Sequence, residues 1–189
     1  MLDAQNISLR GLKNEPFELL CEMERRCRLN LAVATGGGGE SNEWVGIGCL
    51  LGNERFLVAR AQVREVMMMP PMVTPVPGSK DWVAGLANLR GQLLPIIDLR
   101  QFLGSGSSHG VRTARVLVAE SADLLIGIIV DEVYGFRRFS ESEFTTEVPK
   151  TELRCEQYLD GACIRGADVW AVFSIRKLLD SKEFQQAAA

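Results

Sequence analysis

A single histidine, His109, stands in the 189-residue chain, and that scarcity closes several routes at once. Catalytic metal sites are built most often from several imidazoles, or from imidazoles with carboxylates or thiolates. One isolated histidine gives such a site little to start from. The five cysteines, Cys21, Cys27, Cys49, Cys155 and Cys163, are odd in number and contain no Cys-x-x-Cys pair, which indicates neither a disulfide framework nor a zinc site. They read as thiols of a reducing cytoplasm. An excess of positive charge is also missing: 21 Lys and Arg stand against 24 Asp and Glu, for a net charge of −3, so the basic footprint of a nucleic-acid binder is absent. Long apolar runs are missing too. The longest, such as "LLIGIIV" at 124–130, fall far short of the roughly 20 residues that a membrane span requires. With no signal-peptide pattern at the start, the expectation is a cytoplasmic protein with no direct membrane insertion. Phosphate loops are imitated but not completed. "TGGGGESNE" at 35–43 lacks the Lys-Ser or Lys-Thr of a P-loop, and in "GIGCLLG" at 46–52 three residues rather than two separate Gly48 from Gly52, so no cofactor is expected.

What is present is core-forming material in short pieces. Hydrophobic residues make up 47% of the chain, enough for one domain with a real interior. In "NEPFELLCEMERRCRLNL", Asn14 can cap, Pro16 suits a first turn, and Phe17, Leu20, Met23, Cys27 and Leu31 recur at spacings of three and four, which predicts an amphipathic helix. Residues 1–43 therefore read as a helical extension ending in a glycine-rich linker, and 181–189 as a C-terminal tail. From Trp44 onward the pattern is strand, near 44–51, 55–59, 62–68, 83–90, 92–97, 112–119, 124–134, 161–165 and 168–173. Closely spaced strands without crossover helices favour an antiparallel barrel or sandwich.

An internal repeat sharpens the reading. "GLANLRGQLLPIIDLRQFLG" at 85–104 matches "GACIRGADVWAVFSIRKLLD" at 161–180, with one residue of slippage around the Arg-Gly pair, so two copies of a strand-turn-strand-helix unit imply two similar subdomains. Asp98 and Ser174 fall at matching positions, and both are good helix N-caps. Gln101 adds a capping-box-like partner to Asp98. Pro95 marks an edge position or a bulge, and Gly91 fits the hairpin turn after Arg90. Gly85 has no such local reason. With Val63 and Val66 on a neighbouring strand it suggests an open apolar strip, so that Gly85→Asp is expected to spare the fold and weaken binding of a partner. "GSSHG" at 106–110 fits Gly-x-Ser-x-Gly with Ser108 as nucleophile, but it lies in a glycine-serine loop rather than between a strand and a helix. No catalytic residue is assigned.

The string Gly85, Asn88-Leu89-Arg90-Gly91, Pro95, Asp98-Leu99-Arg100, together with "VREV" at 63–66 and "GIIVDEV" at 127–133, resembles the CheW-like domain of bacterial chemosensory adaptors over residues 44–180. "WVGIG", "TPVPG" and the "PFELL" helix look most like its pilus-type members. The resemblance implies a mainly β fold of two SH3-like five-stranded β-barrels, here with an N-terminal helical extension. It also implies a non-enzymatic adaptor, linking the cytoplasmic tip of a methyl-accepting receptor to the CheA-like regulatory domain of a histidine kinase in type IV pilus twitching motility. Swimming chemotaxis is the alternative pathway, and a non-signalling β-barrel interaction module the alternative class. The resemblance pairs Arg90 with Glu65. It places partner contacts on Val63, Glu65, Val66, Gly85, Asn88, Leu89, Arg90, Pro95 and Val130, and leaves Asp98, Gly91 and Ser174 structural.

Overall fold

The computed structural model describes residues 43–121 and 124–187. The expected amphipathic helix and nearly all of the glycine-rich linker lie outside the described residues. Eleven strands run β1 (Glu43–Leu51), β2 (Glu54–Ala59), β3 (Val63–Met68), β4 (Val83–Leu89), β5 (Gln92–Asp98), β6 (Arg115–Ser121), β7 (Leu124–Val130), β8 (Glu132–Ser140), β9 (Phe144–Thr145), β10 (Leu159–Arg165) and β11 (Asp168–Phe173). Three short helices, α1 (Leu99–Phe102), α2 (Ile175–Leu179) and α3 (Lys182–Gln185), follow β5 and β11.

The strands form a five-stranded sheet, β3-β6-β7-β5-β4, and a six-stranded sheet, β8-β1-β2-β11-β10-β9. Apart from β9, which pairs antiparallel with β10, they match strand for strand: each has three antiparallel pairings and one parallel pairing, β5 with β7 in the first and β11 with β2 in the second. The sixth strand, β9, is the addition. Closed barrels were expected, and here the structure differs. No ladder joins the outer strands β3 and β4. After β3 the chain runs into Pro70 and Pro71, which have no amide to donate. Only one isolated bridge, Thr74 to Leu86, returns to β4.

The repeat is built without slippage. The β4–β5 turn is Arg90-Gly91, the β10–β11 turn is Gly166-Ala167, and Arg90 (φ +52°) matches Gly166 (φ +62°), so the counterpart of Arg165 is Leu89. Gly85 (φ +139°) and Gly161 (φ +145°) occupy equivalent bulges. A Cβ on Gly85 would overlap the backbone oxygen of Thr74, and one on Gly161 that of Thr145. This corrects the open strip inferred at Gly85: the close approach its lack of a side chain permits is made by the protein's own chain, and Gly85 is buried.

Both halves also start their helices alike, with the amides of Asp98 and Ser174 donating to the carbonyls of Trp82 and Tyr158. Asp98 caps α1 as expected, accepting from the Gln101 amide at 3.2 Å. It also gathers the 107–109 loop, accepting from the amides of Ser108 (2.8 Å) and His109 (3.0 Å) and from the Ser107 hydroxyl. The reciprocal half of a capping box is not made, because the Asp98 amide is already committed to Trp82. Ser174 does not cap with its side chain; the Gln62 carboxamide takes the Ile175 amide in its place, at 2.9 Å. Pro95 is not on an edge either, since β5 is an inner strand. It stands opposite Leu86, just before the β5–β7 ladder begins at Ile96.

Between the sheets lies the largest core, with Phe56, Leu51 and Phe173 from one and Leu117, Ile128 and Val130 from the other. Each such side chain contributes roughly 1.5–3 kcal/mol on burial. Smaller clusters fill the concave face of each sheet, around Leu94, Ile96 and Val116 in the first and Leu57, Phe139 and Val172 in the second. The C-terminal segment joins this interior. Phe184 of α3 stacks on Trp82 at 5.3 Å and meets Phe102 at 5.8 Å. The three described thiols are core groups, and burial pushes those of Cys49 up to about 12 and of Cys155 and Cys163 to about 11.

Gly85→Ala and Gly161→Ala are expected each to lower stability by about 3 kcal/mol, because each adds backbone overlap to an unfavourable φ. Urea unfolding of both variants checks this. A loss under half a kcal/mol in either would show that the threonine carbonyl moves aside without difficulty.

Candidate functional site

The expected pairing of Arg90 with Glu65 is made, Nη2 to Oε2 at 2.9 Å. It joins the β4–β5 turn to the outer strand β3, across the gap where the five-stranded sheet fails to close. Arg90 and Gly91, both at positive φ, form the two centre residues of the hairpin turn, a conformation matched to the twist of the strands. The Asn88 carboxamide secures the turn by accepting from the Gly91 amide at 2.8 Å. Arg90 is 79% exposed and Glu65 27%, so the pair is a surface clasp rather than a buried bridge.

Around this clasp the nine residues expected at a partner surface divide. Val66 is exposed beside Glu65, Asn88 and Arg90 are exposed on the hairpin, and Leu89 and Pro95 are half-buried. Val63 and Val130 are not surface residues. They belong to the core between the sheets, and with Gly85 beneath Thr74 they reach no partner without unfolding. The physical reason is that β3 and β7 bury side chains on the inter-sheet face, which strand periodicity alone does not distinguish from the outer face. Two further exposed apolar residues lie outside those nine: Met68 at the end of β3, 71% exposed, and Leu93 opposite Asn88, 72% exposed. Their signal was present in the alternation of the strands, since Met68 follows Val66 by two.

The second half carries a different clasp. Arg165 reaches Glu143 with Nε to Oε1 at 2.6 Å and Nη2 to Oε2 at 3.0 Å, and also donates to the Arg138 carbonyl of β8. The Arg165 guanidinium holds the Glu143 carboxyl down at about 2, helped by the Ser140 amide.

One buried ion pair was missed, although both of its residues lie in quoted strings. Arg100 Nη1 meets Asp131 Oδ2 at 3.2 Å, with Asp131 only 7% exposed. Asp131 also accepts from the Gly52 amide at 2.6 Å. The Gly-x-Ser-x-Gly loop is likewise structural. Ser108 is fully buried, and the Ser108 and His109 amides both point at Asp98. Among the described residues no group of His, Cys, Asp and Glu is arranged to hold a metal.

Comparison with known proteins follows the same outline. A family model described as "CheW-like domain" matches residues 46–183. The chain is 38% identical to the protein PilI of Pseudomonas aeruginosa, covering 92% of this chain and 96% of that one. It is 31% identical to the chemotaxis protein CheW of Klebsiella aerogenes, over 70% and 80%. In fold it resembles the crystal structure of the scaffolding protein TtCheW from Thermoanaerobacter tengcongensis, with a TM-score of 0.67, 20% identity, and coverage of 77% of this chain and 99% of that one.

The two arginine pairs predict opposite mutational costs. Arg90→Ala should lower stability by less than about 1 kcal/mol, as exposed pairs do, whereas Arg100→Ala leaves a buried carboxylate short of a partner and should cost about 3 kcal/mol. Thermal and urea unfolding of the two variants decide it. Equal costs would contradict the division into an exposed clasp and a buried pair.

Proposed function

Since this chain belongs to the CheW-like domain family, we propose that it is a chemosensory adaptor coupling a methyl-accepting receptor to a CheA-like histidine kinase. The pilus pathway is the favoured setting, because the similarity to PilI runs through nearly the whole of both chains. The protein works by holding surfaces in place rather than by chemistry: the polar groups that could be mistaken for a catalytic set, Asp98, Ser108 and Asp131, are buried and tie loops together.

The observation that carries the reading is the incomplete first sheet. Its outer strand β3 presents Val66 and Met68 to solvent beside the Glu65–Arg90 clasp. Exposed apolar side chains on an outer strand are normally removed or covered, since they invite association. We place the kinase's regulatory domain there, with Arg90 and Leu93 at the rim. The receptor's cytoplasmic tip is the second partner. No helix among the described residues is long and apolar enough to cross a membrane, and the protein is placed in the cytoplasm at receptor arrays through these partners.

Titration calorimetry with the kinase regulatory domain from the same organism should give binding by the wild type. Met68→Glu, at a position 71% exposed, should weaken it at least about tenfold with an unchanged melting curve. Absence of any wild-type binding would contradict the adaptor reading, and unaltered binding by Met68→Glu would take the kinase surface off β3. A deletion strain separates the pathways: loss of twitching with swimming intact supports the pilus assignment, and the reverse overturns it.

A further inference from the structure

The two sheets share a frame, but their concave faces do not share a chemistry. Where β4 and β5 carry Leu89, Gln92 and Leu94, the equivalent positions of β10 and β11 carry Arg165, Asp168 and Trp170. The first half builds the same frame without these three residues; in the second, Trp170 joins the buried cluster of the sheet while Arg165 and Asp168 stay exposed. Together with Arg55 of β2 and Tyr134, Arg137 and Phe139 of β8, they line an open recess of about 380 Å³.

The guanidiniums of Arg55 and Arg137 lie over the Trp170 ring at 5.6 and 5.8 Å from its centroid, and Tyr134 meets the same indole edge-on at 6.0 Å. Arg165 lies over Phe139 at 4.5 Å. Arg55 has Asp168 at 2.7 Å and Arg165 has Glu143. Arg137 is exposed and has no carboxylate within ion-pair distance among the described residues. An arginine stacked on an aromatic ring keeps its in-plane donors free for a carboxylate, and its orientation is already fixed by the stacking. With Asp168 and Glu143 each paired to one of the three guanidiniums, Arg137 leaves the recess a net positive charge in a chain of net charge −3.

We propose that this recess docks an acidic segment of a partner protein, with a Glu or Asp carboxylate on Arg137 and a neighbouring apolar side chain against Trp170 and Tyr134. An inorganic anion would use the guanidiniums and leave the aromatic wall idle. A peptide carrying both groups uses both, and Arg, Trp and Tyr are the residues on which binding energy concentrates at protein interfaces. This site lies on the second sheet and does not depend on the kinase surface placed on β3.

The test uses the full chain and a short fluorescein-labelled glutamate-rich peptide with one central tyrosine, followed by anisotropy. Saturable binding is expected, weaker at higher salt and reduced at least about tenfold by Arg137→Glu. Arg137 is exposed and, beyond its stacking over Trp170, makes no ion pair among the described residues, so that variant should melt close to the wild type. Trp170→Leu, which installs the residue of the first half, should weaken binding while Met68→Glu leaves it unchanged. The proposal is overturned by no binding, or by equal affinity of wild type and Arg137→Glu. It is equally overturned if inorganic phosphate displaces the peptide at matched charge, or if anionic vesicles or an oligonucleotide bind in an Arg137-dependent way while the peptide does not.

Discussion

The Asp131 carboxylate sits where the chain leaves the first sheet for the second, between the end of β7 and the start of β8, and the relation of the two halves depends on it. A carboxylate this deeply covered costs several kcal/mol in desolvation unless its oxygens are matched. They are matched from both sides of the crossing, by the Gly52 amide in the β1–β2 turn and by Arg100 in α1. The backbone of the same residue adds two ties, its amide to the Leu50 carbonyl and its carbonyl to the Thr113 hydroxyl. Three separate segments, the β1–β2 turn, α1 and the chain before β6, thus converge on one residue. This holds the large inter-sheet core in register, because shifting either sheet would strand a buried charge.

From that frame the two halves diverge. Each keeps a bulge glycine beneath a threonine carbonyl, a helix opened by an amide bonded to an aromatic residue's carbonyl, and an arginine that reaches across the gap to the outer strand or its end. The first half spends its outer surface on exposed apolar residues and a loose clasp at Glu65–Arg90. The second spends it on stacked arginines. One duplicated scaffold therefore offers two faces of different chemistry, as the proposed adaptor role with more than one partner requires.

Much of this was legible in the residues. The repeat, most strands and the cap at Asp98 could be read because turn residues, alternation and cap chemistry are local signals, whereas the Arg90–Glu65 pair was implied only by the family resemblance. The places where reading failed share a cause, which is contact from distant parts of the chain. Gly85 was correctly flagged as a glycine needing a close neighbour, but nothing local shows that the neighbour is Thr74. Val63 and Val130 alternate as surface residues of a strand would, yet a second sheet covers them. The strand expected over 124–134 breaks at Asp131 because the chain changes sheets there, and β8 continues through Gly135, Arg137 and Arg138, whose polarity hid an outer strand. Ser174 lost its cap to the side chain of Gln62, more than a hundred positions away in the chain.

The central claim is the proposal that the incomplete edge of the first sheet is the surface that docks a CheA-like histidine kinase. Amide chemical-shift mapping of the full chain, titrated with the kinase regulatory domain, tests it residue by residue. The account predicts that the largest changes fall on Val66, Met68, Arg90 and Leu93, with the 107–109 loop and the Arg137 recess unaffected. Changes centred on the second sheet, with β3 and the Arg90 turn unmoved, would contradict it.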